Sequence, residues 1–139
     1  MIAEFANTTF RRTIRSSRTE TSKLMQEAID YFISMKRKNK FPHLDEYYFR
    51  LALDELVENA LTHGNRQDGG KNISVEIKPY NGKAEISVTD EGNGFAPSSL
   101  TNPRAADNMY KSNGRGIFIV QKIGEVHWND TGNRIMVRL

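Results

Sequence analysis

The sequence predicts an α+β fold, a two-layer α/β sandwich in which a mixed, mostly antiparallel sheet carries its helices on one face. Two long segments have apolar residues at helical spacing, and two pairs of segments alternate apolar and polar residues around turn signals. Helices of this kind pack on one face of a sheet built from hairpins. A length of 139 residues suits one core, so we expect a single domain over residues 1–139, with residues 1–7 partly loose.

The N-terminal half predicts one strand and two helices. Residues 8–16 alternate weakly and predict an edge strand. Residues 22–40 have helical spacing and end in a basic cluster, as helices often do. Residues 44–63 have a broader apolar face, which predicts a helix that packs on more than one side and ends at Gly64-Asn65.

The C-terminal half predicts two hairpins on either side of an irregular segment. The first hairpin turns at Asn81-Gly82, a strong two-residue hairpin signal, between strands at residues 72–79 and 83–90. Residues 91–116 are rich in Gly, Pro, Asn and Ser, and a connection of that length is usually functional. A short helix over residues 116–123 and a hairpin of residues 125–130 and 134–139 complete the predicted order.

Composition and charge exclude several classes of protein. The chain has no cysteine, so it forms no disulfide, and a zinc site would have only three histidines and carboxylates to use. The 20 Lys and Arg residues against 17 Asp and Glu residues leave a net charge of +3, which is too weak a bias to predict a nucleic-acid interface. No apolar run has the length of a membrane span or a signal peptide. We therefore expect a cytoplasmic protein that contacts neither nucleic acid nor a membrane.

The first candidate site lies on the second predicted helix, at Glu55 and Asn59. Residues four apart share a helix face, so this carboxylate and carboxamide can together hold a hydrated Mg2+ and orient a hydroxyl. The same spacing is common on exposed helices, so on its own it favours a surface role. Glu58, one position before Asn59, is expected to point to solvent.

The second candidate site is Asp90-Glu91-Gly92-Asn93-Gly94-Phe95, at the end of a predicted strand. The glycines allow backbone to approach a ligand closely. Asp90 is suited to accept a hydrogen bond from an exocyclic amine such as that of adenine. The alternative reading is a glycine turn capped by an aspartate.

The third candidate site is the segment from Asn113 to Val120, in which Gly114 and Gly116 open an apolar helix. Free amides at a helix N-terminus attract anions, and Arg115 adds a forked donor. The spacing matches neither a P-loop nor a dinucleotide-binding fingerprint.

Taken in order, the three segments resemble the ATP-binding domain of the gyrase, heat-shock chaperone, histidine kinase and mismatch-repair (GHKL) superfamily, which is known as the Bergerat fold. The sequence is most similar to the stand-alone serine/threonine kinases that act as anti-sigma factors. Residues 55–65 resemble the N-box of those kinases, residues 90–95 their first glycine box and residues 114–120 their second. The resemblance covers residues 8–139.

The resemblance implies ATP and Mg2+ as cofactors and a role for each matched residue on the helix and the first glycine box. Glu55 would be the general base, and Asn59 would coordinate Mg2+. Asp90 would accept a hydrogen bond from the adenine amino group, while Gly92 and Gly94 would let the backbone pass beside the nucleotide.

The resemblance also implies a phosphate site in the second glycine box. Gly114 and Gly116 would donate amides to the phosphates, and Lys111 or Arg115 would place a charge near the terminal phosphate. Residues 96–113 would form a mobile ATP lid.

The implied function is a serine/threonine protein kinase that phosphorylates an anti-sigma antagonist-like protein, sequesters a sigma factor, or does both. Two departures from the family pattern leave another reading open: Asn113 replaces a glycine, and residues 132–135 contain no clear adenine-binding threonine. In that reading, the chain is an ATP-binding regulatory module that sequesters a partner without significant catalysis. A surface for a homodimer or a partner, formed by the basic first helix and the N-terminal strand, is a further expectation, because Phe5 and Phe10 would otherwise be exposed.

Overall fold

The computed structural model describes residues 8–66, 68–92 and 116–139, and its elements follow the predicted order. The strands are β1 (Phe10–Arg15), β2 (Asn72–Tyr80), β3 (Lys83–Asp90), β4 (Glu125–Trp128) and β5 (Arg134–Arg138), and the helices are α1 (Arg18–Arg37), α2 (Glu46–Asn59) and α3 (Gly116–Ile123). A π-helical turn (Ala60–Gly64) continues α2. The predicted lid at residues 96–113 lies outside the described residues, as do Phe5, Gly94, Lys111, Gly114 and Arg115.

The five strands form one sheet in the order β1-β2-β3-β5-β4. Every pairing among the described strands is antiparallel, so the sheet is more uniform than the mixed sheet that the sequence predicts. Alternate residues of the strands point to the helices and are buried, among them Ile73, Val75, Ile77, Ile86 and Val137. The predicted α+β fold, with its helices on one face of the sheet, is confirmed.

Helix α1 begins four residues earlier than the sequence analysis places it, because of a local cap. Ser17 has an extended backbone, and its hydroxyl accepts a hydrogen bond from the Glu20 amide at 3.1 Å. Ser and Glu three apart form the signature of a capping box. The helix also ends earlier than predicted, at Arg37, because Asn39 adopts a left-handed conformation with φ of 56°.

Helix α2 runs into a wider turn that the sequence does not predict. The Asn65 amide donates to the Ala60 carbonyl at 2.8 Å, five residues back along the chain instead of four. The extra residue changes the direction in which Gly64 and Asn65 leave the helix. Single π turns of this kind are frequent at functional sites.

An aromatic cluster in the core joins α1 to the edge strand β1 on one side and to α2 on the other. The rings of Phe10 and Tyr31 lie 5.5 Å apart between centroids, and those of Phe32 and Phe49 lie 4.7 Å apart. Phe10 is fully buried inside the chain itself. The expectation that Phe10 would be exposed without a dimer partner is therefore wrong.

The final hairpin closes the sheet and holds the only tryptophan of the chain. Trp128 stands opposite Ile135 in the β4–β5 pair and packs partly buried against the core.

Among the described helices, none combines the length and the apolar character that crossing a bilayer requires.

Candidate functional site

Asn59 lies in the last turn of α2 with only 5% of its surface exposed. Its Oδ1 atom is buried and has no hydrogen-bond partner among the described residues. A buried acceptor without a partner is costly in a folded protein and calls for an explanation. A carboxamide oxygen is a ligand that Mg2+ accepts, so Asn59 fits the metal-ligand role that the resemblance implies.

Glu55 lies one turn before Asn59 on the same helix and is half-buried. Burial raises the pKa of its carboxyl, and the negative charges of Asp54 and Glu58 raise it further. A carboxylate with a raised pKa accepts a proton more readily near neutral pH. The environment of Glu55 therefore suits a general base.

Glu58 does not point freely to solvent as the sequence analysis expects. The Arg18 guanidinium donates a forked pair of hydrogen bonds to its two carboxylate oxygens, one of them at 3.0 Å. This ion pair joins the first turn of α1 to α2 beside Glu55. It also fixes the position of the Glu58 carboxylate, which has the same charge as the ionised Glu55.

Asp90 is the last residue of β3, and only 8% of its surface is exposed. Its Oδ1 atom accepts a hydrogen bond from the Gly92 amide at 2.8 Å. Burial raises the pKa of the Asp90 carboxyl, and the Gly92 amide and Lys71 oppose that rise in part. A buried carboxylate beside a glycine turn can recognise a hydrogen-bond donor on a ligand.

Two glycines let the end of α2 and the end of β3 approach each other closely. A Cβ atom on Gly64 would lie 2.1 Å from Oδ2 of Asp90, and a Cβ on Gly92 would lie 2.0 Å from the Gly64 carbonyl oxygen. Neither distance is sterically possible. Gly92 is thus required for packing against Gly64, in addition to the role beside a ligand that the sequence predicts.

Asn65 is the residue that sequence reasoning missed. It is 99% buried, and its Oδ1 atom accepts from the Glu91 amide at 2.7 Å. Its Nδ2 atom donates to the Ser16 hydroxyl at 2.7 Å and to the Asn72 carbonyl at 2.8 Å. One carboxamide therefore joins the end of α2, the turn after β3, the start of β2 and the β1–α1 connection.

The last turn of the molecule is tied to Asp90 as well. The Asp90 amide donates to the Asn133 carbonyl at 2.9 Å, and the Asn133 side chain donates to the Asp90 carbonyl at 3.1 Å. Oδ1 of Asn133 accepts from Asn129 at 2.7 Å and from Thr131 at 2.6 Å. An asparagine thus supports Asp90 in the segment where the family pattern leads us to expect a threonine.

The described parts of the three predicted sites meet around α2. The π turn at its end contacts the end of β3, and α3, which begins at Gly116, packs against α2. Four predicted site residues, Gly94, Lys111, Gly114 and Arg115, fall outside the described residues. A cavity of about 500 Å3 near Tyr48 and Lys83 lies at the opposite end of β3 from Asp90 and contains none of the predicted site residues.

Comparison with known proteins agrees with the motifs. The family model of the histidine kinase-like ATPase domain matches residues 18–139, from the start of α1 onward. This match confirms the resemblance to the GHKL superfamily. No curated protein matches the chain with significance.

Proposed function

Because the chain belongs to the histidine kinase-like ATPase domain family, we propose that it is a Mg-ATP-dependent serine/threonine protein kinase of the anti-sigma factor type. Its substrate is an anti-sigma antagonist-like protein, and a sigma factor is a second partner that it sequesters. The family assignment supports ATP binding and a kinase-like domain. The observation that carries the finer proposal is the half-buried Glu55, with its raised pKa, one turn from the unpartnered Oδ1 of Asn59.

Nucleotide recognition is assigned to Asp90 and the two glycine boxes. Asp90 accepts a hydrogen bond from the adenine amino group, while the Gly92 amide holds its side chain and Asn133 holds its backbone. Gly94 lets the backbone pass beside the nucleotide. The amides of Gly114 and Gly116 bind the phosphates, with a cation from Lys111 or Arg115.

Glu55 acts on the protein substrate in this proposal. Its carboxylate takes the proton of a serine or threonine hydroxyl, the hydroxyl oxygen bonds to the terminal phosphorus of ATP, and ADP leaves with the electrons of the broken phosphorus–oxygen bond. Asn59 would hold Mg2+ through Oδ1, and the ion, when bound with ATP, neutralises phosphate charge. The remaining task of the chain is to position the two substrates.

The kinase proposal is tested with the isosteric variant Glu55→Gln. We expect ATP affinity to stay within about twofold of wild type, because Gln preserves shape, while phosphate transfer to a purified antagonist domain falls about 100-fold or more. Transfer is followed with radiolabelled ATP. The control is Glu46→Gln, a partly exposed carboxylate in the first turn of α2 that pairs only with Arg50 among the described residues. Absence of transfer by the wild type, or equal transfer by Glu55→Gln, overturns the kinase proposal.

A regulatory module without catalysis is the second candidate, favoured by Asn113 in place of a glycine and by Asn133 beside Asp90. This candidate predicts that ATP-dependent binding of a partner survives Glu55→Gln unchanged while the wild type transfers no phosphate. Wild type and Glu55→Gln, each assayed for phosphate transfer and for ATP-dependent partner binding, separate the two candidates.

A homodimer stays a proposal that Phe10 no longer supports. The remaining support is the position of β1 at the edge of the described sheet, where an edge strand can pair with a second copy. Sedimentation over a wide concentration range tests it, and a monomer throughout counts against it.

A further inference from the structure

We propose that the outer face of the sheet, which turns away from the helices, docks an acidic segment of a partner protein. This outer face consists of every second residue of the strands, from Arg11, Thr13 and Arg15 of β1 through Ser74, Glu76, Lys78, Lys83, Glu85, Ser87 and Thr89 to Arg134, Met136 and Arg138 of β5. None of the described helices covers it, since they pack against the opposite face. An uncovered sheet face of this composition is available to a partner.

The outer face holds an excess of positive charge. Six cationic side chains lie on it, Arg11, Arg15, Lys78, Lys83, Arg134 and Arg138, and β4 adds only Glu125 to the carboxylates of Glu76 and Glu85. The surplus equals the net charge of the entire chain, which is +3. A surface with concentrated charge attracts partners of opposite charge and speeds their association.

Arg134 is the cation of this surface on which the proposal most depends. It stands at the end of a row of hydroxyl side chains that crosses the sheet in register, formed by Thr13, Ser74 and Thr89. Its guanidinium donates to the hydroxyl of the buried Ser87 at 3.3 Å, which holds it in place, and no carboxylate of the described residues forms an ion pair with it. A shallow cavity of about 210 Å3 lies between this row and Arg11.

The carboxylate of Glu85 is already occupied by cations of the sheet itself. Lys78 lies 3.7 Å and Arg138 3.4 Å from its oxygens, and only 11% of the Glu85 side chain is exposed. Arg138 also stacks over the Tyr80 ring at 4.0 Å. Two cations therefore share one shielded carboxylate, so this part of the outer face also keeps an unbalanced positive charge.

The size and the charge pattern favour a protein over a nucleic acid. Strands spaced about 4.8 Å apart and about five residues long span roughly 20 by 17 Å, which suits a small, transient interface. Glu76 and Glu125 interrupt the cations and would repel a continuous phosphate backbone. A protein segment that alternates acidic and neutral side chains can place its carboxylates beside the cations and its neutral residues beside the glutamates of the outer face. Arginines form strong, often bidentate, hydrogen bonds with carboxylates.

This docking surface is separate from the proposed nucleotide site, so the two proposals fail independently. Thr89 and Asp90 are neighbours in β3 and point to opposite faces of the sheet. Arg134 likewise begins β5 on the outer face, while the side chain of Asn133, in the turn before it, donates to the Asp90 carbonyl. A partner on the outer face therefore leaves ATP access to Asp90 open.

The test uses the full chain and a fluorescein-labelled peptide of alternating glutamate and glycine. Binding is followed by fluorescence anisotropy at about 50 mM and about 200 mM salt, with and without saturating Mg-ATP. The first variant is Arg134→Glu, which also removes the hydrogen bond to Ser87. The second is Lys83→Glu, at the exposed start of β3, which reverses a charge of the outer face without breaking that bond. Lys23→Glu, an equally exposed charge reversal on α1, is the matched control.

We expect saturable binding that Arg134→Glu and Lys83→Glu each weaken about tenfold, that Lys23→Glu leaves within about twofold, and that higher salt weakens several-fold. Mg-ATP should not displace the peptide. Any of four results overturns the proposal: no saturable binding, equal loss in Lys23→Glu, displacement by Mg-ATP, or tighter binding of duplex DNA to the same face. Displacement by ATP would place the peptide in the nucleotide site and leave the kinase proposal intact.

Discussion

Asp90 is a buried side chain whose ionisation costs stability in the free protein. Burial raises the pKa of its carboxyl above the value in the unfolded chain, so ionisation disfavours the folded state. The resulting loss of stability is absent at pH values below the unfolded pKa. It grows as the pH rises through the folded pKa and is complete above it.

We predict that Asp90→Asn stabilises the free protein at neutral pH and weakens ATP binding. The amide carries no charge to bury. Its single oxygen accepts from the Gly92 amide, so its NH2 group, which is a donor, faces the adenine amino group, a loss of about 1–3 kcal/mol. Urea unfolding and ATP titration measure the two effects. Asp68→Asn is the control, because exposed Asp68 makes the same kind of bond, to the Gly70 amide at 2.9 Å. Unchanged ATP affinity in Asp90→Asn would remove Asp90 from the site.

We predict that Asp54→Asn moves the acid side of the pH–activity profile to lower pH. After burial, the negative charge of Asp54 is the largest cause of the raised pKa of Glu55. A base works when deprotonated, so activity rises as the pH passes its pKa, and removing a neighbouring negative charge lowers that pKa. Phosphate transfer measured across pH tests this, with Glu46→Gln as a control that should not move. A profile that stays in place in Asp54→Asn would contradict the assignment of Glu55 as the base.

The sequence points to the candidate site residues more directly than to the residues that hold them in place. Glu55, Asn59 and Asp90 stand in short motifs, so neighbours in the chain identify them. Asn65 follows a helix-ending glycine, so in the sequence it looks only like the end of a helix. Its partners Ser16 and Glu91 are 49 and 26 residues away along the chain. No local pattern encodes contacts of that range.

At the scale of elements, the important contact is the one between the π turn and the end of β3. Gly64 and Gly92 touch there without room for a methyl group, and Asn65 bonds across the same junction. The junction fixes how far the helix of Glu55 and Asn59 lies from Asp90. Rigid supports of this kind keep a site in its productive geometry.

We predict that Gly92→Ala destabilises the fold by about 1–3 kcal/mol and weakens ATP binding in parallel. The new methyl group would meet the backbone of Gly64, which cannot rotate away. The free energy of unfolding and the ATP affinity are the two readouts. Gly69→Ala is the control, because a Cβ there meets nothing within 4 Å, and its change should stay within about 0.5 kcal/mol. Equal effects of the two variants would show that the junction is not tightly packed.

The order and type of the described elements are predictable from the sequence, while some of their boundaries are not. The turn at Asn81-Gly82 has positive φ angles of 49° and 80°, as its composition predicts. The start of α1 depends on the Ser17 cap, whose signal lies in a segment that otherwise reads as a loop. The π turn has no signature in the apolar pattern, and the close contact of Gly64 with Asp90 joins residues that are far apart in the sequence.

At the scale of the whole molecule, the sheet separates two surfaces of different character. Its inner face packs against the helices and carries Asp90, whereas its outer face carries Arg134 and the excess of positive charge. A ligand of the inner face alone should stabilise the whole domain, because the buried core joins every described element.

We predict that ATP with Mg2+ at about 100 times its dissociation constant raises the free energy of unfolding by about 2.7 kcal/mol. For a domain of this size the unfolding temperature should rise by several degrees. Calorimetry with increasing ATP measures the shift, and Asp90→Asn should need more ATP for the same shift. A transition temperature that ATP does not move would contradict nucleotide binding by the folded chain.

Trp128 gives these experiments an internal optical reporter. It is the sole indole of the chain, and the next residue, Asn129, bonds to the side chain of Asn133, which in turn bonds to the Asp90 backbone. Its emission therefore comes from one known position, two hydrogen bonds from the proposed adenine contact. Intrinsic fluorescence can follow both the melting of the final hairpin and the arrival of a nucleotide without any attached dye.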